Sequence, residues 1–428
     1  MKDFNNVKKG ELGGYIEKLE NGLTIMIIPK SGIQKKYAIW GTNYGSVDNK
    51  FIVPGETDVT SVPDGVAHFL EHKMFEQENG TNSLDTLTKL GVNANAYTTT
   101  NHTAYLFECT ENFYEALDEL MDYLQHPYFT DENVEKEKGI IAQEINMYND
   151  YPEWEVYMNA MKAMYHNNPV KIDIAGTVES ISKIDKDVLY TCYNTFYHPS
   201  NMVMCFAGEF EPENLLEEVK KRLLPKENEG EIKRIYVSEP EEIVKKEEIK
   251  KMEVSMPMFV IGIKDSIKGN NEIVEEAIIK RHIAIEIILN LIIGKSSKLY
   301  KKLYEQGLLM EEPYLDYEFD KTYRHITITG KSTDPKKILK NIQEEILNLK
   351  NNGIDETAFQ RIKKMLYGRT VKEFTDVSDI CKMFLNDYFK GINSFNYLEN
   401  YKQISSSYTM QILEEVFKEE KTVISIIN

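Results

Sequence analysis

Cysteine is scarce in this chain: four residues among 428, Cys109, Cys192, Cys205 and Cys381, with no C-x-x-C pair. That excludes a disulfide framework and a zinc knuckle, and it points to scattered thiols in a reducing compartment, the cytoplasm. Positive charge is short as well. Lys and Arg number 51 against 69 Asp and Glu, a formal net charge of −18, which argues against nucleic acid or an anionic membrane as partner. The surplus acidity is compatible with attracting basic peptides. No long apolar run is present: the longest, Ala284 to Gly294, is broken by Glu286 and Asn290 and falls short of a bilayer. The stretch Met1-Lys2-Asp3-Phe4-Asn5-Asn6 has no apolar core of the signal-peptide kind. What remains, 42% hydrophobic and 28% charged residues, suits a soluble globular protein of two or three domains.

Histidine is also rare, with eight in all, yet two of them stand in His68-Phe69-Leu70-Glu71-His72. On a helix, positions i and i+4 lie one turn apart on one face, so both imidazoles can hold one divalent ion. Glu71 sits beside them, placed to take a proton from a water polarised by that ion. His-x-x-Glu-His is the inverse of His-Glu-x-x-His, the inverzincin order. The bland alternative is an amphipathic helix with two exposed histidines. His282 and Glu286 share the i, i+4 spacing, but nothing nearby completes a site, so they read as structural. His102, His126, His166, His198 and His325 have no ligand-like spacing.

Asn21-Gly22 between Tyr15–Leu19 and Leu23–Ile28 predicts a hairpin. A strand is expected over 36–44, then the histidine helix, capped from Ser61 or Asp64 around Pro63. Residues 91–108 read as extended, 111–124 and 131–149 as helices, and 201–206 as a strand. Residues 225–251, rich in Glu and Lys, read as a linker with possible short strands. A similar order then recurs: strand 258–263, helices 273–294 and 296–307, strand 325–330, helices 334–351 and 356–374. That echo suggests two related halves. The expected division is 1–225 for a metal-binding catalytic domain, 226–251 for the linker and 252–428 for a related domain without metal.

Catalytic zinc usually takes three protein ligands and keeps one position open. The third is expected to be a carboxylate from another helix. Glu137 and Glu144 lie two turns apart beside a stripe of Ile141, Ile145 and Tyr148, and an acid there can reach an interior site. Either one, taken alone, is one helix-surface acid among many.

The resemblance becomes specific at this point. The chain resembles the pitrilysin/insulinase zinc metallopeptidases, in the bacterial branch similar to the mitochondrial processing peptidase. It does so through Gly65-Val66-Ala67-His68-Phe69-Leu70-Glu71-His72-Lys73-Met74-Phe75, Asn95-Ala96-Tyr97-Thr98, Thr103-Ala104-Tyr105, the 137–144 segment and Phe196-Tyr197-His198-Pro199-Ser200-Asn201-Met202. The match is dense to about residue 210 and thin beyond. It implies an α+β fold: two related α/β sandwich halves, each an antiparallel sheet packed against helices, forming a clamshell. It implies Zn2+ held by His68, His72 and Glu144, Glu71 as general base, and Glu137 orienting a ligand histidine. It also implies that 91–97, with Asn95, Ala96 and Tyr97, is an edge strand that pairs with an extended peptide substrate, as any unpaired edge can.

One feature of active members is missing. Where they place an Arg and, seven residues on, a Tyr, this chain has Tyr304 and Glu311. An intact zinc set beside that gap suggests the catalytic subunit of a two-chain metalloendopeptidase. Its partner would be a second copy or a related chain lacking the zinc motif. A scaffold or core-type subunit that retains a metal site is the alternative, disfavoured because His68, Glu71, His72 and Glu144 are all kept.

Overall fold

The computed structural model describes residues 2–3, 13–226, 230–265 and 274–428. Ile273, from which the sequence starts its long apolar helix, and most of the amino-terminal stretch read for a signal peptide lie outside them. The chain divides into two compact units, neither contiguous in sequence.

The first unit comprises Met1–Ile145, Asp173–Tyr236 and Lys372–Phe389. Its seven-stranded sheet runs, edge to edge, Lys2–Asp3, Tyr15–Lys18, Thr24–Pro29, Met202–Gly208, Lys36–Thr42, Thr103–Cys109, Asn93–Thr98. The hairpin at Asn21-Gly22 forms as the sequence predicts. The sheet is mostly antiparallel, with one parallel pair, Thr24–Pro29 beside Met202–Gly208. Alternate residues of the central strands face opposite ways, and both sets are buried. Ala38, Trp40, Met204 and Phe206 enter the main core, which includes Phe69 and Leu70 of the histidine helix. Tyr37, Ile39 and Cys205 face the other way and are equally buried. The cover on that second face is the helix Val377–Phe389, from far along the chain. It approaches closely: a Cβ at Gly41 would lie 2.8 Å from Leu385.

The second unit comprises Asn146–Ile172, Val237–Val371 and Lys390–Asn428. Its five strands run Glu247–Lys250, Thr422–Ile427, Met258–Lys264, Arg324–Lys331, Tyr314–Phe319, with the first pair parallel. The apolar helix Glu275–Ile292 lies in its main core. The other face is covered by Pro152–Met164, contributed by the first half of the sequence. Gly262 plays the part of Gly41, since a Cβ there would meet Met164 Sδ at 2.8 Å.

Each unit thus borrows one helix from the opposite half of the sequence, which the expected cut at 225 and 252 does not provide for. A strand buried on both faces needs cover on both, and here the second cover is a distant segment. The expected linker carries short paired strands at Lys233–Arg234, beside Lys50–Ile52, and at Glu247–Lys250. Among the described residues, no helix is long and apolar enough to cross a membrane.

Candidate metal centre

The site lies in the first unit. Its framework is the helix Val66–Lys73, which buries Val66, Ala67, Phe69 and Leu70 in the core and leaves His68 and His72 on another face. The helix does not start on Ser61 or Asp64, as the sequence suggests. Its N-cap is Gly65 at φ 94°, a conformation other residues rarely adopt, and a Cβ there would fall 2.4 Å from the Ala175 carbonyl oxygen. Asp64 instead accepts a hydrogen bond from Asn49 at 3.0 Å.

The imidazole centroids of His68 and His72 are 4.6 Å apart. The helix Asp131–Asn149 is pinned by Val134, Ile141 and Ile145, which turns Glu137 and Glu144 toward the histidines. Tyr148, expected in the same inward stripe, is 36% exposed, because the buried face ends at Ile145. Glu144 Oε1 is 3.8 Å from His68 Nε2, and Glu144 Oε2 is 3.5 Å from His72 Nε2. One donor atom from each of the three residues lies within 4.8 Å of the others, and this is the one such metal-binding group among the described residues. Three ligands about 2 Å from a shared zinc would stand roughly 3.3–3.4 Å apart in tetrahedral geometry, so donors that all lie within 4.8 Å of one another would draw together around a bound ion.

The chemistry of the donors fits a cation as well. His72 Nδ1 is 3.0 Å from Glu137 Oε1. An N–H donated there leaves Nε2 with a lone pair directed at a carboxylate oxygen. With the ring neutral, two acceptors 3.5 Å apart repel each other until a cation, a proton or a metal ion, lies between them. Glu137 is buried; burial alone would raise its carboxyl, but His72 and Lys73 outweigh this and hold it below the usual range. Lys73, fully buried, reaches Glu76 at 2.6 Å and Glu137 at 3.7 Å.

Burial, aided by the charge of His72, pushes the His68 imidazole down to about 3, so it is neutral and available as a ligand. Burial would lower His72 too, but Glu137, Glu71 and Glu144 carry it above the ordinary histidine value. Glu71 is 9% exposed. Burial raises its carboxyl and Glu144 adds to the effect, against the pull of Thr98 and His72. The Thr98 hydroxyl donates to Glu71 Oε2 at 2.6 Å.

Asn93–Thr98 is the last strand of the sheet and, among the described residues, pairs on one side only, with Thr103–Cys109. Asn95 is exposed, and Ala96 and Tyr97 are half-buried. Sequence reasoning missed Lys73 and Thr98 as parts of the site. Both lie in segments that carry the family resemblance, but a threonine ending a strand and a lysine ending a helix are ordinary placements, so neither pointed to a role. In the second unit, His282 is half-buried, depressed to about 3, and bonded to the Tyr397 hydroxyl at 2.8 Å. Glu286 accepts from Tyr401 at 3.2 Å. Both are held structurally, as the sequence suggests.

Comparison with known proteins agrees with this geometry. Residues 58–178 match the family model described as insulinase (peptidase family M16), and residues 183–366 match the model of the peptidase M16 inactive domain. The chain is 38% identical over 416 residues to the uncharacterized zinc protease YmfH of Bacillus subtilis, covering 96% of each. It is 30% identical over 213 residues to the mitochondrial-processing peptidase subunit beta of Dictyostelium discoideum, 48% of this chain and 43% of that one. Among solved structures, a chain described as an M16-like peptidase from Alicyclobacillus acidocaldarius superposes with a TM-score of 0.92 at 32% identity. It covers 98% of this chain and 99% of that one. Pitrilysin matches at a TM-score of 0.74 and 16% identity, over 99% of this chain and 46% of that one, a likeness of fold alone.

Proposed function

The chain belongs to the insulinase family, peptidase family M16, and we propose that it is a zinc-dependent metalloendopeptidase acting on peptides or unfolded segments. The observation that carries this reading is the convergence of His68, His72 and Glu144, with the His72 lone pair directed by Glu137. His68 Nε2, His72 Nε2 and a Glu144 oxygen would hold the ion. Zinc bound there supplies Lewis acidity, lowering the pKa of a water to about 7 and drawing charge from the scissile carbonyl.

The remaining work falls to side chains. Glu71 takes the proton from the attacking water and returns it to the departing amine. Its burial suits that task, because a carboxylate whose pKa is raised is a stronger base and takes a proton from water more readily than an ordinary one. Asn95, Ala96 and Tyr97 lie on the free edge, where main-chain groups can bond to an extended peptide backbone with little side-chain selection. Tyr304 and Glu311, standing where active relatives of the family place an Arg and a Tyr, support a role as the catalytic subunit of a two-chain enzyme. The partner would be a second copy or a related chain without the zinc motif. Four buried, unpaired thiols favour the cytoplasm as its compartment.

The test compares wild type with Glu71→Gln, each with and without a candidate partner chain, for zinc content and for cleavage of an unfolded peptide. The variant is expected to keep its zinc and lose about 10²-fold or more in turnover. Unchanged cleavage would reassign the base. Strong cleavage by wild type alone would remove a partner of different sequence and leave only a second copy of the chain.

A further inference from the structure

We propose that Thr98 is the positioning residue for Glu71, and that its hydroxyl links the free edge strand to the proposed general base. The inference rests on the reading of Glu71 given above.

Glu71 must bring one oxygen to a water and then to an amine, while its side chain has three rotatable bonds. It receives one hydrogen bond, at Oε2, from Thr98 Oγ1 at 2.6 Å. That length belongs to a charge-assisted O–H···O− bond, the stronger class. Oε1 has no hydrogen-bond partner among the described residues. The carboxylate is therefore held through one oxygen and open at the other, as proton transfer requires.

The donor is itself fixed. Thr98 is the last residue of Asn93–Thr98 and lies opposite Thr103 in the ladder. The Thr103 hydroxyl donates to the Tyr44 carbonyl at 3.0 Å and stands 3.3 Å from Thr98 Oγ1. With the Thr103 proton spent on Tyr44, the Thr98 hydroxyl is left to donate to Glu71. In the strand, Ala94, Ala96 and Thr98 share one face, and the two alanines pack against the core that contains the histidine helix. Small side chains at 94 and 96 let helix and strand approach until the hydroxyl at 98 spans the gap. A threonine is suited to this, since branching at Cβ restricts χ1 and so aims the hydroxyl.

A peptide paired along this edge would stiffen the strand that holds the base. Binding on Asn93–Thr98 is then felt in the chemical step as well as in affinity. Misplacing a reacting group by about 1 Å can cost on the order of 10²-fold in rate, so the loss of this bond belongs in kcat.

The experiment uses the full chain, with its partner chain if one is required, zinc-loaded, on a quenched fluorescent peptide. Thr98→Val keeps the branched shape and removes the hydroxyl; Thr98→Ser restores it; Glu71→Gln is measured alongside. Thr98→Val is expected to lower kcat about 10- to 100-fold with KM within about threefold, and with zinc content and melting temperature unchanged. Thr98→Ser is expected to recover most of the loss. Crystal structures of the two Thr98 variants give a second readout: the Glu71 carboxylate should leave its wild-type position in Thr98→Val and keep it in Thr98→Ser. Wild-type kinetics in Thr98→Val, equal losses in Val and Ser, or an unmoved carboxylate would overturn the inference while an inactive Glu71→Gln left the base in place. Full activity in Glu71→Gln would instead remove the reading beneath it, and the inference with it.

Discussion

At the scale of single residues, the ion pair between His72 and Glu137 has a consequence separate from catalysis. Glu137→Gln can still accept the Nδ1 proton but no longer supplies charge, and such partners typically affect metal affinity by about 10–100-fold. That loss is the expected result in competition with a chelating dye; unchanged affinity would mean that packing alone fixes the ring. His68→Ala and Glu144→Gln remove ligands outright and should bind zinc poorly by metal analysis, and full occupancy in the latter would reassign the third ligand. His68, Glu71 and His72 were legible in the sequence because their relation is local, fixed by one turn of helix. Glu144 came only with the family resemblance, since its distance to His72 depends on how two helices pack. Thr98 stood only inside the segment that carries the family resemblance, with no role of its own: strand propensity accounts for a threonine there without any site.

Elements repeat the lesson. Most strands and long helices appear where periodicity places them, and Asp131–Asn149 has the predicted bounds. The start of the histidine helix was misjudged, because contact with Ala175, over a hundred residues on, selects Gly65 where local rules favour a polar cap. Tyr314–Phe319 bears a prediction of its own. Its Glu318 accepts hydroxyls from Tyr323 at 2.6 Å and Tyr157 at 3.2 Å and lies 3.5 Å from His325 Nε2. Burial opposes its ionisation, but His325, Tyr323 and Lys390 outweigh that and hold the carboxyl at about 2, against an ordinary 4.5. A carboxyl depressed by folding stabilises above its unfolded value and loses that contribution as pH falls through the folded one. Stability should therefore be insensitive to this group above about pH 5 and decline between about 4.5 and 2. Glu318→Gln should flatten that part of the acid limb and cost about 1–2 kcal/mol at neutral pH, read from denaturant unfolding. An identical acid limb in the variant would dismiss the assignment. On the first unit's sheet, Leu385→Ala should cost about 2–5 kcal/mol, the range for a buried leucine, although the residue is remote in sequence from the strands it covers.

For the whole molecule, the reciprocal loan of helices is the part of the fold that composition could not disclose. Pro152–Met164 and Val377–Phe389 carry ordinary amphipathic patterns, and nothing local says which sheet each will cover. A fragment cut at residue 225, where the sequence suggests a boundary, leaves Tyr37, Ile39 and Cys205 without their helix. It is expected to bind a hydrophobic dye and to lack cooperative unfolding, whereas coexpression with 226–428 should restore both properties of the intact chain. A cooperative, dye-silent fragment would show that the helix is dispensable. The same arrangement bears on birth at the ribosome. The first unit has almost all its residues once position 236 is made, yet its last helix ends at Phe389, so at about 5–20 residues per second the nascent sheet waits roughly 8–30 s with one oily face bare. During that interval a chaperone, rather than the protein's own chain, has to keep it from sticking to its neighbours.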